Sequence, residues 1–464
     1  MKRFNTFRRT ILLTGLSFVM TNSITAQVNT DGTIDTGDKY ADSRLKSEES
    51  PEVIAKRLEW WNDARFGLFI HWGIYAQDGC FWNGKDGRSE HMMRNLQIPI
   101  TEYQKIAAKF NPVQFNADEW AKTAKDAGMK YMVITAKHHD GFAMFDSPSN
   151  DYNIVKQTPW KRDPIKELAA ACTKEDLKFG VYYSLGRDWH DPDCNSKDGW
   201  RSNVWDFPEE AKKDYSKYFE RKVKSQIKEL MKQYHPAILW FDTPELITLD
   251  QSRELLALIH SIDPKCIVNQ RIGNRLGDYA VKEQKIPGNG EPDPWETCMT
   301  LNGAWGYHKT DTNWKSSDSL VHSLIDIASK GGNLLLNVGP TGEGIIPALS
   351  VSRLGEVGDW LKVNGEAIYG TTSSPFGKMD WGRCTKKEEN GNTILYFSVF
   401  ERPVNGKIVL PKFSNEIKKV SLLANGKVLK KESKKEGVVV EIPPINSDEI
   451  VAIVKLELKG ILKL

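Results

Sequence analysis

Two carboxylates in this chain stand where they could act on a sugar. Asp242 closes the apolar run Ala237-Ile-Leu-Trp240-Phe-Asp242, and Glu296 follows Trp295 at the head of Trp295-Glu296-Thr-Cys-Met-Thr. A charge behind Trp240 is expensive unless neighbours stabilise it or it has work to do. Retaining glycoside hydrolysis needs such a pair: one carboxylate attacks the anomeric carbon, and a second, with a raised pKa, protonates the leaving oxygen and later activates water. For each acid taken alone, a plainer role stays open, capping a helix or pairing with Arg271.

The histidines point the same way. His71 ends Phe66-Gly-Leu-Phe-Ile-His71-Trp72, and His138-His139-Asp140 follow Met132-Val-Ile-Thr-Ala-Lys137. Neighbouring histidines on a strand face opposite sides, so these two share one metal ion only if the strand bends, and no third ligand shows the usual spacing. Hydrogen bonding to sugar hydroxyls fits better, with Asp140 orienting an imidazole and no metal or cofactor expected. Tyr182, Trp240 and Trp305 are either core aromatics or rings stacked on a pyranose.

These residues need a scaffold that brings strand ends together. Four apolar runs, including Gly180-Val-Tyr182-Tyr183-Ser184, each stop abruptly in such side chains. A parallel barrel presents its site in this way, at the carboxyl ends of its strands. Helical spacing alternates with these runs, and later ones begin at Cys266, Trp295 and Gly332, so seven strands are countable and the eighth is the weak point. No glycine-rich phosphate loop opens a helix, which disfavours a nucleotide-binding doubly wound sheet. The expected fold is α/β: a (β/α)8-type barrel over 51–370, then a C-terminal antiparallel β-sandwich over 371–464. In the latter, period-two runs are joined by Asn-Gly turns at 390–391, 405–406 and 425–426.

Residues 1–26 read as a signal peptide, with a basic start, an apolar stretch and a plausible cut after Ala26, and 27–50 as a flexible leader. Export to the periplasm or the exterior follows as an expectation. Removing four basic residues takes the formal charge from +3 to −1, which gives no electrostatic reason to bind nucleic acid. No later run is long enough for a membrane span. The six cysteines show no zinc spacing; Cys266 and Cys298 fit as buried apolar residues, while an oxidising compartment would permit a bridge at Cys80 or Cys194.

Six motifs in order carry a resemblance: Arg65-Phe-Gly-Leu-Phe-Ile-His71-Trp72-Gly73, Lys137-His138-His139-Asp140-Gly141-Phe142, Gly180-Val-Tyr182-Tyr183-Ser184, Leu239-Trp240-Phe241-Asp242, Trp295-Glu296-Thr through Trp305-Gly306-Tyr307, and Asn333-Leu-Leu-Leu-Asn337-Val-Gly339-Pro340. Together, over about 52–365, the chain resembles the α-L-fucosidases of glycoside hydrolase family 29. The resemblance implies a retaining exo-α-L-fucosidase acting on fucosylated oligosaccharides or glycoconjugates, with Asp242 as nucleophile and Glu296 as acid/base. Glu291, in Gly290-Glu-Pro-Asp-Pro, is the rival for the second role. It further implies that His71, Glu90, His138, His139, Tyr182, Trp240 and Arg271 line the fucose subsite, with Trp305 near the sugar's methyl side. The chain departs from the family at Ser89-Glu90-His91-Met92, where many members have Gly-Glu-Trp. That leaves an α-L-galactosidase as the alternative within the family, His91 making room for a 6-hydroxyl. A non-catalytic carbohydrate-binding protein is the alternative outside enzymes.

Overall fold

The structure, a computed structural model, describes residues 45–196, 201–434, 437–444 and 450–464. The signal-peptide segment and all but the end of the leader lie outside the described residues.

Helix Pro51–Ala64 starts where the Ser50 hydroxyl accepts from the Val53 N–H, with Pro at its first position, and stops at Arg65 in the left-handed region (φ 55°). It delivers the chain into β1 (Phe66–Ile70). The remaining barrel strands are β2 (Tyr131–Lys137), β3 (Lys178–Ser184), β4 (Ile238–Asp242), β5 (Ile267–Val268), β6 (Ala280–Glu283), β7 (Trp295–Thr300) and β8 (Asn333–Val338). They form one parallel sheet in the order β5-β4-β3-β2-β1-β8-β7-β6. An isolated parallel bridge between Asn269 and Tyr279 joins its two edges. The strand missing from the sequence count is β6.

Alternation along the strands decides which side chains fill the barrel. Phe69, Tyr131, Val133, Tyr182, Ile238, Trp240, Ile267, Tyr279, Val281, Cys298 and Leu335 form the interior, and Leu58, Trp61 and Ala64 of the first helix pack against its amino end. The outward residues join the larger cluster with the helices. Phe69, Tyr182 and Trp240 lie ring against ring, with centroids 5.0–6.0 Å apart. Rings of this size, fully removed from water, carry much of the barrel's hydrophobic stabilisation.

Among the described residues seven strands follow: β9 (Gly382–Glu389), β10 (Asn392–Val399), β11 (Lys407–Leu410), β12 (Ile417–Leu422), β13 (Lys431–Lys434), β14 (Gly437–Glu441) and β15 (Ala452–Leu458). They make two antiparallel sheets, β9-β10-β15-β12 and β11-β14-β13, around a separate core. Asn390 and Gly391 both have positive φ, as the two-residue turn between β9 and β10 requires. The sandwich leans on the barrel's outer helices: Trp360 donates to Val451 O at 3.2 Å, and the His322 ring stacks on Phe400 at 4.3 Å. Among the described residues, no helix is long and apolar enough to cross a membrane.

Candidate active site

Asp242 is the last residue of β4, with a side chain 16% exposed at the barrel's carboxyl end. Its Oδ2 accepts from the Tyr182 hydroxyl at 2.8 Å, and its Oδ1 accepts from Arg271 Nη1 at 2.7 Å and from the Thr243 N–H at 2.8 Å. Thr243 holds φ +53°, a costly conformation for a β-branched residue, so the turn that aims this carboxylate is strained. Burial alone would raise the Asp242 pKa, but Arg271, Arg187 and the Tyr182 hydroxyl overcome it and hold the carboxyl below the ordinary range.

Arg271 has a second arm. Its Nη2 donates to Glu283 Oε2 at 2.7 Å. One planar guanidinium therefore bridges Asp242 and Glu283, and its width plus two hydrogen bonds keeps the bonded oxygens within about 8 Å of each other. Glu283 closes β6, faces inward by the parity of Tyr279 and Val281, and its side chain is 35% exposed. Arg271 also lies over the Trp240 ring, 5.2 Å from its centroid.

The histidines wall the space in front of Asp242. His71 Nδ1 lies 2.6 Å from Asn337 Oδ1, and the Asn337 amide donates to Trp305 O at 2.7 Å. That orientation makes the His71 Nδ1–H the donor and leaves Nε2 as an acceptor. The same logic holds for His139: its Nδ1 is 2.6 Å from Ser184 Oγ, whose proton goes to Arg187 O at 2.8 Å, and its Nε2 lies 3.8 Å from Asp242 Oδ2. Burial lowers the pKa of His71, and of His138 and His139 well below the usual value, so these rings are neutral near pH 7. The register of β2 against β3 shifts between Thr135 and Lys137, and His138 and His139 follow the strand rather than alternate on it. Their ring centroids are 4.2 Å apart, with His138 stacked on Tyr182 at 5.2 Å. His138 Nδ1 is buried without a hydrogen-bond partner, a donor or acceptor held ready for a ligand.

Glu90 lies under the same space, its Oε2 accepting from the Gly306 N–H at 3.0 Å and its Oε1 2.8 Å from His91 Nδ1. Burial pushes it up, yet His91, His138 and His71 bring it down to about 2. The His91 ring sits 5.3 Å from His139 and 5.7 Å from Trp189. Trp305, half-buried, packs 5.0 Å from the His71 ring. His71, Glu90, His91, His138, His139, Tyr182, Arg271 and Trp305 thus gather around Asp242.

Glu296 is not among them. It is the second residue of β7, level with Asn333 at the start of β8, and it is fully buried at the amino end. The Trp240 indole N–H donates to it at 3.0 Å and the Tyr131 hydroxyl at 2.6 Å. Tyr131 reaches it because Gly67 leaves room: a Cβ there would lie 2.4 Å from the tyrosine ring. Trp240 therefore stands between Glu296 and Asp242, so these two do not face each other, and the carboxylate that Arg271 joins to Asp242 is Glu283. Burial raises Glu296 to about 7, the value a general acid would want, but no leaving group reaches a sealed side chain. Glu291 is also outside the site: it pairs at 3.6 Å with Lys282, whose place in the strand alternation is on the outer face of β6.

One smaller expectation changes, and one open possibility closes. Asp140 orients no imidazole; it accepts from the Tyr103 hydroxyl at 2.9 Å and the Phe142 N–H at 3.2 Å, and Asn337 and Ser184 orient the rings instead. Cys80 and Cys194 form no bridge, all six cysteines being free and buried. Among the described residues, no cluster of three or more His, Cys, Asp or Glu side chains is arranged to hold a metal ion.

A sequence profile described as alpha-L-fucosidase matches residues 35–366. Plasma alpha-L-fucosidase of Rattus norvegicus is 33% identical over 422 residues, covering 83% of this chain and 87% of the relative. Alpha-L-fucosidase isoenzyme 1 from Paenibacillus thiaminolyticus superposes with a TM-score of 0.80 at 36% identity, covering 88% of this chain and 100% of that one. A family 29 alpha-L-fucosidase from Bacteroides thetaiotaomicron, a Glu-to-Gln mutant trapped as a covalent intermediate with 2-fluoro-fucosyl fluoride, superposes with a TM-score of 0.78 at 27% identity, covering 91% and 99%.

Proposed function

The chain belongs to the alpha-L-fucosidase family of glycoside hydrolases, and on that premise we propose that it is a retaining exo-α-L-fucosidase in which Asp242 is the nucleophile and Glu283 the acid/base. The observation that carries the assignment is the Arg271 bridge, which binds both carboxylates at the mouth of one barrel. In the first step an Asp242 oxygen bonds to the anomeric carbon while the Glu283 carboxyl gives its proton to the departing glycosidic oxygen. Water, giving one proton back to Glu283, then attacks the same anomeric carbon, and the bond from that carbon to the Asp242 oxygen breaks, which frees both the Asp242 carboxylate and fucose. Arg271 and the Tyr182 hydroxyl keep Asp242 ionised for attack. Neutral His71 and His139 offer Nε2 acceptors to sugar hydroxyls, and Trp305 offers a ring face. The covalent intermediate trapped in the Bacteroides enzyme supports the retaining course. Export to the periplasm or exterior belongs to the same proposal, supported by the amino-terminal sequence.

The test is Glu283→Ala assayed with an α-L-fucosyl disaccharide and with an aryl α-L-fucoside bearing a very good leaving group. Loss of general acid catalysis costs about 10²–10⁴-fold on the disaccharide. The loss is much smaller on the aryl glycoside, whose turnover azide then rescues as an α-fucosyl azide. Rescue at Glu291→Ala or Glu296→Ala, with Glu283→Ala near parental, sinks the assignment. The His91 position, bounded by His139 and Trp189, makes L-galactose the sugar to run beside fucose. Greater kcat/KM on the aryl α-L-galactoside would overturn the fucose reading, and saturable fucose binding without turnover would leave a binding protein.

A further inference from the structure

The charge of this chain is divided between its two domains. Residues 371–464 hold seventeen Lys and Arg against eleven Asp and Glu, a net of +6, while residues 27–370 hold forty-three against fifty, a net of −7. The formal charge of +3 for the whole chain hides this division. Fifteen of the sandwich's cations are lysines. Its two arginines are taken up inside the fold, Arg383 by Asp326 and Arg402 by Ile442 O at 3.0 Å.

Eight of the lysines collect along one edge of the sandwich. Lys418 and Lys419 lie on the edge strand β12, and the chain turns at Asn425-Gly426 and returns beside it, the Leu422 N–H donating to Lys427 O at 2.9 Å and the Leu429 N–H to Val420 O at 3.0 Å. That return carries Lys427, Lys430 and Lys431, and Lys431 Nζ donates to Ile417 O at 3.3 Å. The carboxyl-terminal segment closes the same edge. The Lys463 N–H donates to Asn415 Oδ1 at 2.7 Å and the Ser414 N–H to Lys463 O at 2.8 Å, which puts Lys412, Lys459 and Lys463 near the start of β12. All eight residues are exposed. Three glutamates share the edge: Glu416 pairs with Lys459 at 3.2 Å, Glu432 with Lys434 at 3.5 Å, and Glu457 stands opposite Lys419 in the strand register. Among the described residues, Lys412, Lys419, Lys427, Lys430 and Lys463 form no ion pair.

Lysines on edge strands also keep a sheet from pairing with other chains. Five of these eight, Lys412, Lys427, Lys430, Lys459 and Lys463, lie off the strands, where no edge needs guarding. An excess of one sign repels itself, and a polyanion relieves that repulsion. Ammonium groups are hydrated point charges rather than forks for one fixed oxyanion, so they suit a polymer whose charges are spread along it. Among the described residues, none of the large exposed apolar side chains is aromatic, so the edge lacks the rings that seat a protein at a membrane interface or stack on nucleobases. We propose that this edge docks an anionic polysaccharide, its charges borne as carboxylates or sulfate esters, and that the fucosides the barrel hydrolyses are attached to such a polymer. Only the second half of the inference rests on the fucosidase reading. The acidic barrel repels a polyanion, so the sandwich is where the polymer is held.

The full chain is titrated with dextran sulfate and with polygalacturonate, beside neutral dextran, at about 50 and about 200 mM salt. At least one polyanion binds at the lower salt and loses about a hundredfold in affinity at the higher, as about four shared contacts require, while neutral dextran does not bind. The tighter polyanion identifies the anion. Lys412→Gln, Lys419→Gln, Lys427→Gln and Lys430→Gln combined remove four exposed ammonium groups without breaking an ion pair, so the fold is kept; affinity falls at least about tenfold and its salt dependence flattens. Arginine at the same four positions retains binding. Turnover of an aryl α-L-fucoside is unchanged in both variants, whereas fucose release at low salt from a fucosylated polysaccharide bearing the tighter-binding anion falls severalfold in the glutamine variant. No polyanion binding at the lower salt, equal binding of neutral dextran, or binding unmoved by the four glutamines overturns the docking surface, and aryl fucoside turnover then keeps the fucosidase reading. Tighter binding of phosphatidylglycerol vesicles than of either polyanion, at equal charge concentration, assigns the edge to a membrane and overturns the polysaccharide. Undiminished fucose release from the polymer by the glutamine variant overturns the second half alone. Docking without aryl fucoside turnover overturns the fucosidase reading and that second half with it.

Discussion

Glu296→Gln separates a structural acid from a catalytic one through its pH dependence. The carboxyl is fully buried and raised to about 7 against an ordinary value of 4.5. As pH rises from about 4.5 to about 7, the unfolded chain releases this proton while the folded chain keeps it, so the unfolded state binds fewer protons and stability falls. Below about pH 4.5 both states are protonated and no penalty exists; above about pH 7 it is complete. A gap of some 2.5 pH units at about 1.4 kcal/mol each makes the full cost about 3 kcal/mol. Glutamine is neutral throughout. Its Oε1 can still accept from Trp240, and its amide can donate to Tyr131 Oη, at a cost of about 1 kcal/mol for imperfect pairing. The variant is therefore slightly less stable than the parent at pH 5 and more stable by about 2 kcal/mol at pH 8. Asp140 and Asp278, each raised to about 6, bend the parental curve as well, but they are common to both proteins and cancel in the difference. Urea midpoints followed by tryptophan fluorescence at both pH values supply the measurement, with fucoside turnover staying within about tenfold of parental because Glu296 is sealed at the amino end of the barrel behind Trp240. Parallel stability curves, or turnover collapsing by the factors expected of an acid/base residue, would refute the reasoning.

Arg271→Met removes the bridge between Asp242 and Glu283. We expect kcat/KM to fall by about 10²–10³ and the acid limb of the pH profile to move to higher pH, since Asp242 loses the cation that contributes most to holding its pKa down; an unmoved limb counts against the bridge. Tyr182→Phe removes one hydroxyl from Asp242 and should shift that limb in the same direction but less, as a pH–rate series can show. All six thiols are free and buried, so a thiol reagent should find none in the native protein and six after unfolding; any reaction that fails to reach six under non-reducing conditions would reveal a bridge.

How much of this was legible follows from strand polarity and parity. Asp242, His71 and the His138-His139 pair were readable because each follows an apolar run long enough to be a strand, which places it at the carboxyl end where a barrel builds its site. The Asn390-Gly391 hairpin was likewise written in turn chemistry. Strand β6 was hidden: it has four residues, follows Gly277 and Asp278, and offers only Val281 as a large apolar side chain. With it went Glu283, although Tyr279, Val281 and Glu283 share one parity, the inward one. The opposite error befell Glu296. Trp295-Glu296 looks like a functional pair, but the acid comes second in its strand, and in a parallel barrel the beginning of a strand is the closed end. No local pattern shows that Tyr131 and Trp240 will meet it there, because both contacts cross the barrel. A residue's distance from the end of its strand therefore discriminates better between these two acids than its neighbours in sequence do. It also explains why the sealed one has its pKa raised by burial, while the acid at the mouth is shared with Arg271 and open to solvent.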